Sequence, residues 1–280
     1  MKLMLGIKSI YRLTPDWLKI AYYYTLGARR PWGGGYLTYK FRYIKRVLND
    51  KELLKVFKNS SPLPLGYGLS LDERVIEYPW VLSRIPISSD ENLLDVGSTL
   101  NYKVILSFEA LRDREVAILN LSPEEDRFSK VSYVAGDIRN LPFDSNSFDL
   151  ITCISTLEHV GLDNTRYTSK TENLEARPRD FEKAALELKR VAKPSARVFV
   201  TVPFGKYQNF GWFQQFDAAM IRRVMEVFNP SNYQVSYYKY TKDGWNISDE
   251  ASCKDAKYSE TFSGEKSADR AAGARAIACL

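Results

Sequence analysis

The residues best suited to chemistry fall in three short stretches in the middle of the chain. The first, Leu93-Leu94-Asp95-Val96-Gly97, is an apolar run whose carboxylate stands just before a glycine. That glycine lets the backbone pass close to a ligand. The second begins with a glycine–carboxylate pair and reads Gly136-Asp137-Ile138-Arg139-Asn140-Leu141-Pro142-Phe143. The third, Ser155-Thr156-Leu157-Glu158-His159-Val160, holds the only histidine of the 280 residues. An imidazole with an ordinary pKa of about 6.5 suits a general base for a hydroxyl, so His159 and its neighbour Glu158 are the candidate catalytic pair. Structural roles compete at each place. An aspartate ahead of a glycine turn can cap, Gly136-Asp137 can be a plain turn, and His159 can point into the fold. One histidine and three widely spaced cysteines (Cys153, Cys253, Cys279) do not make a zinc site, so no metal is expected. A GxGxxG fingerprint is absent, which argues against NAD.

These stretches must be positioned by strands. Asn92–Gly97, Glu115–Asn120, Val131–Val134, Phe148–Ile154 and Arg197–Pro203 are short runs apolar on both faces, as in a parallel sheet covered by helices on both sides. Between the last two, Phe181, Ala184, Ala185, Leu188, Val191 and Ala192 form one helical stripe, with acids at its start, bases at its end and Pro194 to stop it. Asp217–Phe228 reads as another helix, and Tyr233–Tyr240 and Ala274–Leu280 as two late strands, an antiparallel pair closing the sheet. The expected fold is α/β: an open, doubly wound sheet whose ligand site lies beyond the carboxyl ends of its strands. The first 66 residues read instead as short helices, broken at Pro31–Gly35 and at Ser60–Gly66, with helical apolar spacing from Leu37 to Phe57. The second break is the expected boundary between an extension, 1–66, and the main domain, 67–280.

Charge divides the chain at nearly the same place. Residues 1–60 hold 13 basic and three acidic side chains, a local charge of +10, which leaves −4 for the remainder. A basic, tyrosine-rich arm suits an anionic partner, such as a phospholipid surface at a peripheral contact, with nucleic acid ranked lower, or a helical extension packed on the body with its charges solvated. Lys8 interrupts the apolar N-terminal stretch too early for a secretory signal, and odd, scattered cysteines suit a reducing cytoplasm.

The ordered pieces LLDVGSTLN, GDIRNLPFDSNSFDLITCISTLEHVG and ALELKRVAKPSARVFVTVP, between residues 93 and 203, resemble the class I S-adenosylmethionine-dependent methyltransferases of the type 11 group. The CISTLEHVG run and DERVIEYPW at 72–80 are similar to members found in bacterial surface-glycan gene clusters. The resemblance implies a Rossmann-like, seven-stranded, mostly parallel sheet and S-adenosyl-L-methionine as cofactor. It implies that Gly97 and its neighbours pass under the methionine moiety, with Asp95 ordering that loop or meeting the amino group. Asp137 would accept from the adenine amine beside the Ile138 amide, and Ser155 and Thr156 would flank the sulfonium. Two departures stand out. Ser98, Thr99, Leu100 and Asn101 occupy a loop that usually holds a further glycine; Ser98, Thr99 and Asn101 offer side-chain hydrogen bonds there, or the loop's bulk crowds the cofactor. Asn120-Leu121 ends the second strand where the family usually has a ribose-gripping acid. Ser155 stands where the first acid of the Glu-x-x-Glu-His metal cluster of some relatives would be. Tyr167 and Lys170 are one position short of the Tyr-x-x-x-Lys spacing of short-chain reductases.

The acceptor is expected to be a small molecule or a glycan or glycolipid precursor, methylated on oxygen. Its pocket would draw on the polar connection 161–179, on Phe204, Tyr207, Phe210, Trp212, Phe213 and Phe216, and on the basic arm. An RNA methyltransferase and a degenerate scaffold on the same fold are the alternatives.

Overall fold

The computed structural model describes residues 14–27, 30–87, 90–122, 124, 128–258 and 273–280. Lys2, Lys8, Arg12 and Arg29 of the basic arm lie outside the described residues.

The five expected strands form β1 (Leu93–Val96), β2 (Val116–Asn120), β3 (Val131–Ala135), β4 (Phe148–Ile154) and β5 (Ala192–Pro203). They are parallel in the order β3-β2-β1-β4-β5, with Leu93 opposite both Val116 and Leu150. Strand order reverses beside β1, so a crevice opens between the carboxyl ends of β1 and β4. β5 starts directly where the preceding helix ends and runs through Pro194, which stops the helix without delaying the strand. A proline is tolerated in this first part of a strand, where the pairing with β4 is already irregular.

The sheet has eight strands rather than seven. β8 (Ser236–Thr241) and β10 (Ala276–Cys279) are the expected late pair, and β10 lies antiparallel between β5 and β8. The additional strand is β9 (Gly244–Ser248), a hairpin partner of β8 at the sheet edge. Gly244 has φ +89°, and a Cβ there would lie 2.4 Å from the Tyr67 carbonyl. Trp245 follows, buried, and donates its indole N–H to the Leu71 carbonyl. β6 (Gln208–Asn209) and β7 (Gln214–Gln215) form a separate small hairpin.

Helices α1 (Asp16–Tyr24), α2 (Tyr36–Leu48) and α3 (Lys51–Lys58) come from the arm. The apolar spacing from Leu37 to Phe57 is divided at Asn49-Asp50, where the Asp50 carboxylate accepts from the Leu53 amide and starts α3 as an N-cap. Tyr36, Ile44, Val47, Leu48 and Phe57 share one apolar cluster with Leu93, Leu150, Ile154 and Trp245. The arm therefore covers one face of the sheet. It is joined there by helix α4 (Arg74–Leu82), buried from Val75 onward, and by a buried Lys40–Asp72 ion pair at 2.6 Å. The other face is covered by α7 (Phe181–Val191) and α8 (Ala218–Phe228), each through one apolar stripe. Short helices α5 (Lys103–Leu106), α6 (Thr165–Thr168) and α9 (Glu250–Cys253) complete the described fold. No described helix is long and apolar enough to cross a membrane.

Candidate active site

The loop after β1 is built around Asp95. Its carboxylate is fully buried and accepts from the Leu100 amide (2.8 Å), the Thr152 hydroxyl (2.8 Å) and the Thr99 hydroxyl (3.2 Å). Burial pushes its pKa up to about 6 against these three bonds. Asp95 is thus the brace of the loop and does not line the cleft. Gly97 turns the chain at φ +96°, and a Cβ there would stand 2.1 Å from the Thr156 hydroxyl. Only glycine lets the loops after β1 and β4 approach this closely. Ser98 also takes a left-handed conformation, φ +59°, without being glycine.

The bulkier residues of this loop do not crowd the crevice. Leu100 is wholly buried, Thr99 turns its hydroxyl to Asp95, and Asn101 faces away from the cleft. Asn101 accepts from the Tyr133 hydroxyl and donates to Glu124. Glu124 also accepts from the Asn120 amide at 2.6 Å, while Asn120 Oδ1 takes the Leu121 N–H. The carboxylate that Asn120 lacks thus stands four residues further on, behind it. An acid within one turn of the strand end was the available signal, and sequence reasoning passed over it.

After β3, Asp137 and Ile138 line the cleft. Burial would raise the Asp137 carboxyl, but the Arg139 side chain, 2.5–3.1 Å away, outweighs it and holds the carboxyl below the usual range. Arg139 also reaches Glu175 (2.6 Å) and Asp180 (2.8 Å), tying connection 161–179 to this end of the cleft. The connection folds over the site. Asn164 donates to the His159 carbonyl, and the Tyr167 ring meets the imidazole edge-on at 5.5 Å. Ser122, beyond β2, donates across the opening to the Tyr167 carbonyl at 3.4 Å.

After β4, Ser155 adopts φ +40° and donates to Glu77 of α4 at 2.7 Å. Thr156 turns its hydroxyl to the Ile154 carbonyl. Glu158 is buried behind the cleft, its Oε2 has no hydrogen-bond partner among the described residues, and burial pushes its pKa well above the carboxylate range. Direct contact with a ligand, expected from sequence, is not what the fold gives this side chain. His159 does line the cleft. Its Nδ1 lies 2.9 Å from the Trp212 carbonyl, which can only accept, so the proton sits on Nδ1 and Nε2 keeps the lone pair. Burial lowers its pKa to about 4, well under the ordinary value assumed from sequence. Of the aromatic residues expected at an acceptor pocket, Phe204 and Phe216 are core, Phe213 is buried, and Trp212 backs His159 at 5.3 Å.

Together these loops enclose a cleft of about 400 Å³, within the range of small-molecule sites. It gathers Gly97, Ser98, Thr99, Asn120, Leu121, Asp137, Ile138, Ser155, Thr156 and His159, and excludes Asp95, Asn101 and Glu158. It adds Arg74 and Tyr78 from α4, together with Tyr102. Tyr78 donates to the Thr99 carbonyl at 2.6 Å. Their signal was DERVIEYPW, set apart in the sequence but given no place in a site.

Residues 94–200 match the family model described as a methyltransferase domain. Residues 94–200 form a methyltransferase domain. Its cofactor is S-adenosylmethionine, and the methyltransferase has a cleft that fits it: an open crevice at the strand-order reversal, a glycine turn and a carboxylate beside a backbone amide. Similar solved structures include a Bacillus halodurans protein described as a methyltransferase, 14% identical over 59% of this chain and 73% of that one, TM-score 0.44. They include the 1,6-didemethyltoxoflavin-N1-methyltransferase of Burkholderia thailandensis with 1,6-didemethyltoxoflavin and S-adenosylhomocysteine bound, 14% identical over 56% and 68%, TM-score 0.41. A SAM-dependent methyltransferase of Methanosarcina mazei is 14% identical over 71% and 94%, TM-score 0.41. No curated protein matches the sequence.

Proposed function

We propose that this methyltransferase acts on an oxygen of a small-molecule or glycan-type acceptor that enters between His159 and α6. When bound, S-adenosylmethionine supplies an electrophilic methyl group on a sulfonium. The main chain at Gly97–Thr99 would hold its amino-acid end, Asn120 with Glu124 behind it the ribose, and Asp137 with the Ile138 amide the adenine. Ser155, Thr156 and His159, after β4, line the same cleft.

An acceptor hydroxyl loses its proton as the new C–O bond forms, so a base must be in place. His159 supports this reading best. The Trp212 carbonyl holds the imidazole in one tautomer, which leaves Nε2 as the only basic atom of the ring. Its low pKa keeps that atom unprotonated at neutral pH. Tyr167 beside the imidazole offers an aromatic face to a sugar or other ring, and Arg74 and Tyr78 add polar groups at the same cleft. Alignment of acceptor and methyl group supplies much of the remaining rate.

The test is His159→Ala, assayed by transfer of isotope-labelled methyl to a panel of hydroxylated acceptors, sugars first. The expected result is a fall in kcat of about 10²–10⁴-fold with S-adenosylhomocysteine affinity unchanged. A variant that keeps its kcat, or a product methylated on nitrogen, sinks the reading.

A further inference from the structure

We infer that the solvent face of α1 is a docking surface for an anionic phospholipid membrane. Among the described residues, seven of the fifteen exposed large apolar side chains lie between Trp17 and Leu37. Trp17, Leu18, Tyr22 and Tyr24 are exposed on α1, whose one buried residue is Tyr23, and Leu26 lies just beyond its end; Trp17 is 64% and Leu26 83% exposed. Exposed apolar residues scattered singly are ordinary, but a cluster of this kind marks an interaction site. Its make-up is specific: tryptophan and tyrosine, whose rings carry an apolar body and a polar edge, are the residues that settle at the boundary of a bilayer.

Charge identifies the kind of surface. Residues 14–60 hold ten basic side chains against three acidic ones. Arg46 of α2 lies over the Tyr43 ring at 4.7 Å, Tyr43 touches Tyr39, and Tyr39 stacks on Tyr23 of α1. Arg42 and Arg46 are both exposed, one turn apart on α2. The arm that carries the exposed apolar cluster thus carries exposed cations as well. A nucleic acid would call for cations against its phosphates, with no need of an exposed apolar cluster beside them. An apolar face sinking below the headgroups, with arginines left at their level, uses both.

The patch is held rigidly to the enzyme. Tyr23 of α1 is buried, α2 is locked by the Lys40–Asp72 pair, and Phe41 of α2 packs on Tyr102 at 4.6 Å. Tyr102 lines the cofactor cleft. α2 therefore stands between patch and cleft, so a docked enzyme keeps its cleft close to the lipid surface. The inference does not depend on which atom of the acceptor is methylated.

Co-sedimentation of the full chain with vesicles of phosphatidylcholine, with and without phosphatidylglycerol, tests it. Binding is expected to the phosphatidylglycerol vesicles and to weaken as salt rises. Trp17→Ser with Leu18→Ser lowers that affinity by about tenfold or more, and Arg42→Gln with Arg46→Gln by about tenfold. All four substitutions leave S-adenosylhomocysteine affinity unchanged, which certifies folding. Absence of vesicle binding, or apolar substitutions without effect, overturns the proposal. So does tighter binding of a single-stranded RNA oligonucleotide, or a dimer in solution that Trp17→Ser with Leu18→Ser dissolves.

Discussion

The two walls of the cleft are built by different means. The wall after β1, β2 and β3 is made of backbone turns braced by side chains a few residues away: Thr99 and Leu100 on Asp95, Leu121 on Asn120, Arg139 on Asp137. The wall after β4 depends on partners far along the chain. Ser155 is bound by Glu77, 78 residues earlier, and His159 by the Trp212 carbonyl, 53 residues later. The first wall is braced first within its own turns, to which Thr152, Tyr78, Tyr133 and Glu175 add bonds from further along the chain. The second exists only when α4, the 161–179 connection and the Trp212 segment are all docked. In the proposed function a cofactor common to many enzymes would meet the first wall, and the acceptor the second.

The sharpest way to break this comparison is Gly97→Ala. The new Cβ would sit 2.1 Å from the Thr156 hydroxyl at φ +96°, so the two loops must part. Affinity for S-adenosylhomocysteine should fall by at least about 100-fold, from left-handed strain plus overlap; titration calorimetry reads it. If binding survives, the cofactor does not rest on this turn. Next is Asp95→Asn, which leaves one acceptor oxygen where the carboxylate has two, so the Leu100 N–H and the Thr99 and Thr152 hydroxyls can no longer all donate to it. It should cost about 1–3 kcal/mol of stability, seen as a lowered Tm. An unchanged Tm would mean the loop stands without its brace.

The second wall is tested by pH. In the proposed function the base is the neutral form of His159, and its pKa of about 4 means that lowering the pH would remove it only near that value. The His159-dependent part of kcat should stay level down to about pH 5, whereas an ordinary imidazole would already lose it below about pH 6.5. A fall centred near 6.5 would show His159 more solvated than its packing indicates. The smallest effect is Ser98→Gly. Relief of the left-handed strain at φ +59° should raise the Tm slightly, by the equivalent of less than about 1 kcal/mol. A lowered Tm would mean that the serine side chain itself stabilises the turn.

Much of this molecule is legible before folding. The parallel strands β1 to β5 and the amphipathic helix α7 follow from apolar periodicity. The turn at Gly97 and the pair Asp137–Ile138 follow from glycine and carboxylate at strand ends. These are short-range matters, decided within a few residues by backbone sterics and hydrophobic patterning. What a side chain touches is not short-range. Sequence left Asp95 to order its loop or to meet the ligand and placed Asn101 and Glu158 at the ligand, and the fold turned each inward because buried carboxylates and amides must find partners or remain neutral. It gave His159 an ordinary basicity, which desolvation then lowered. It offered Arg74, Tyr78 and Glu124 no role, because their neighbours in space come from other elements. Chain order and period determined where the strands end and where the cleft must open; only tertiary packing decided which groups face it and in what protonation state, because burial and long-range contact are properties of the assembled fold.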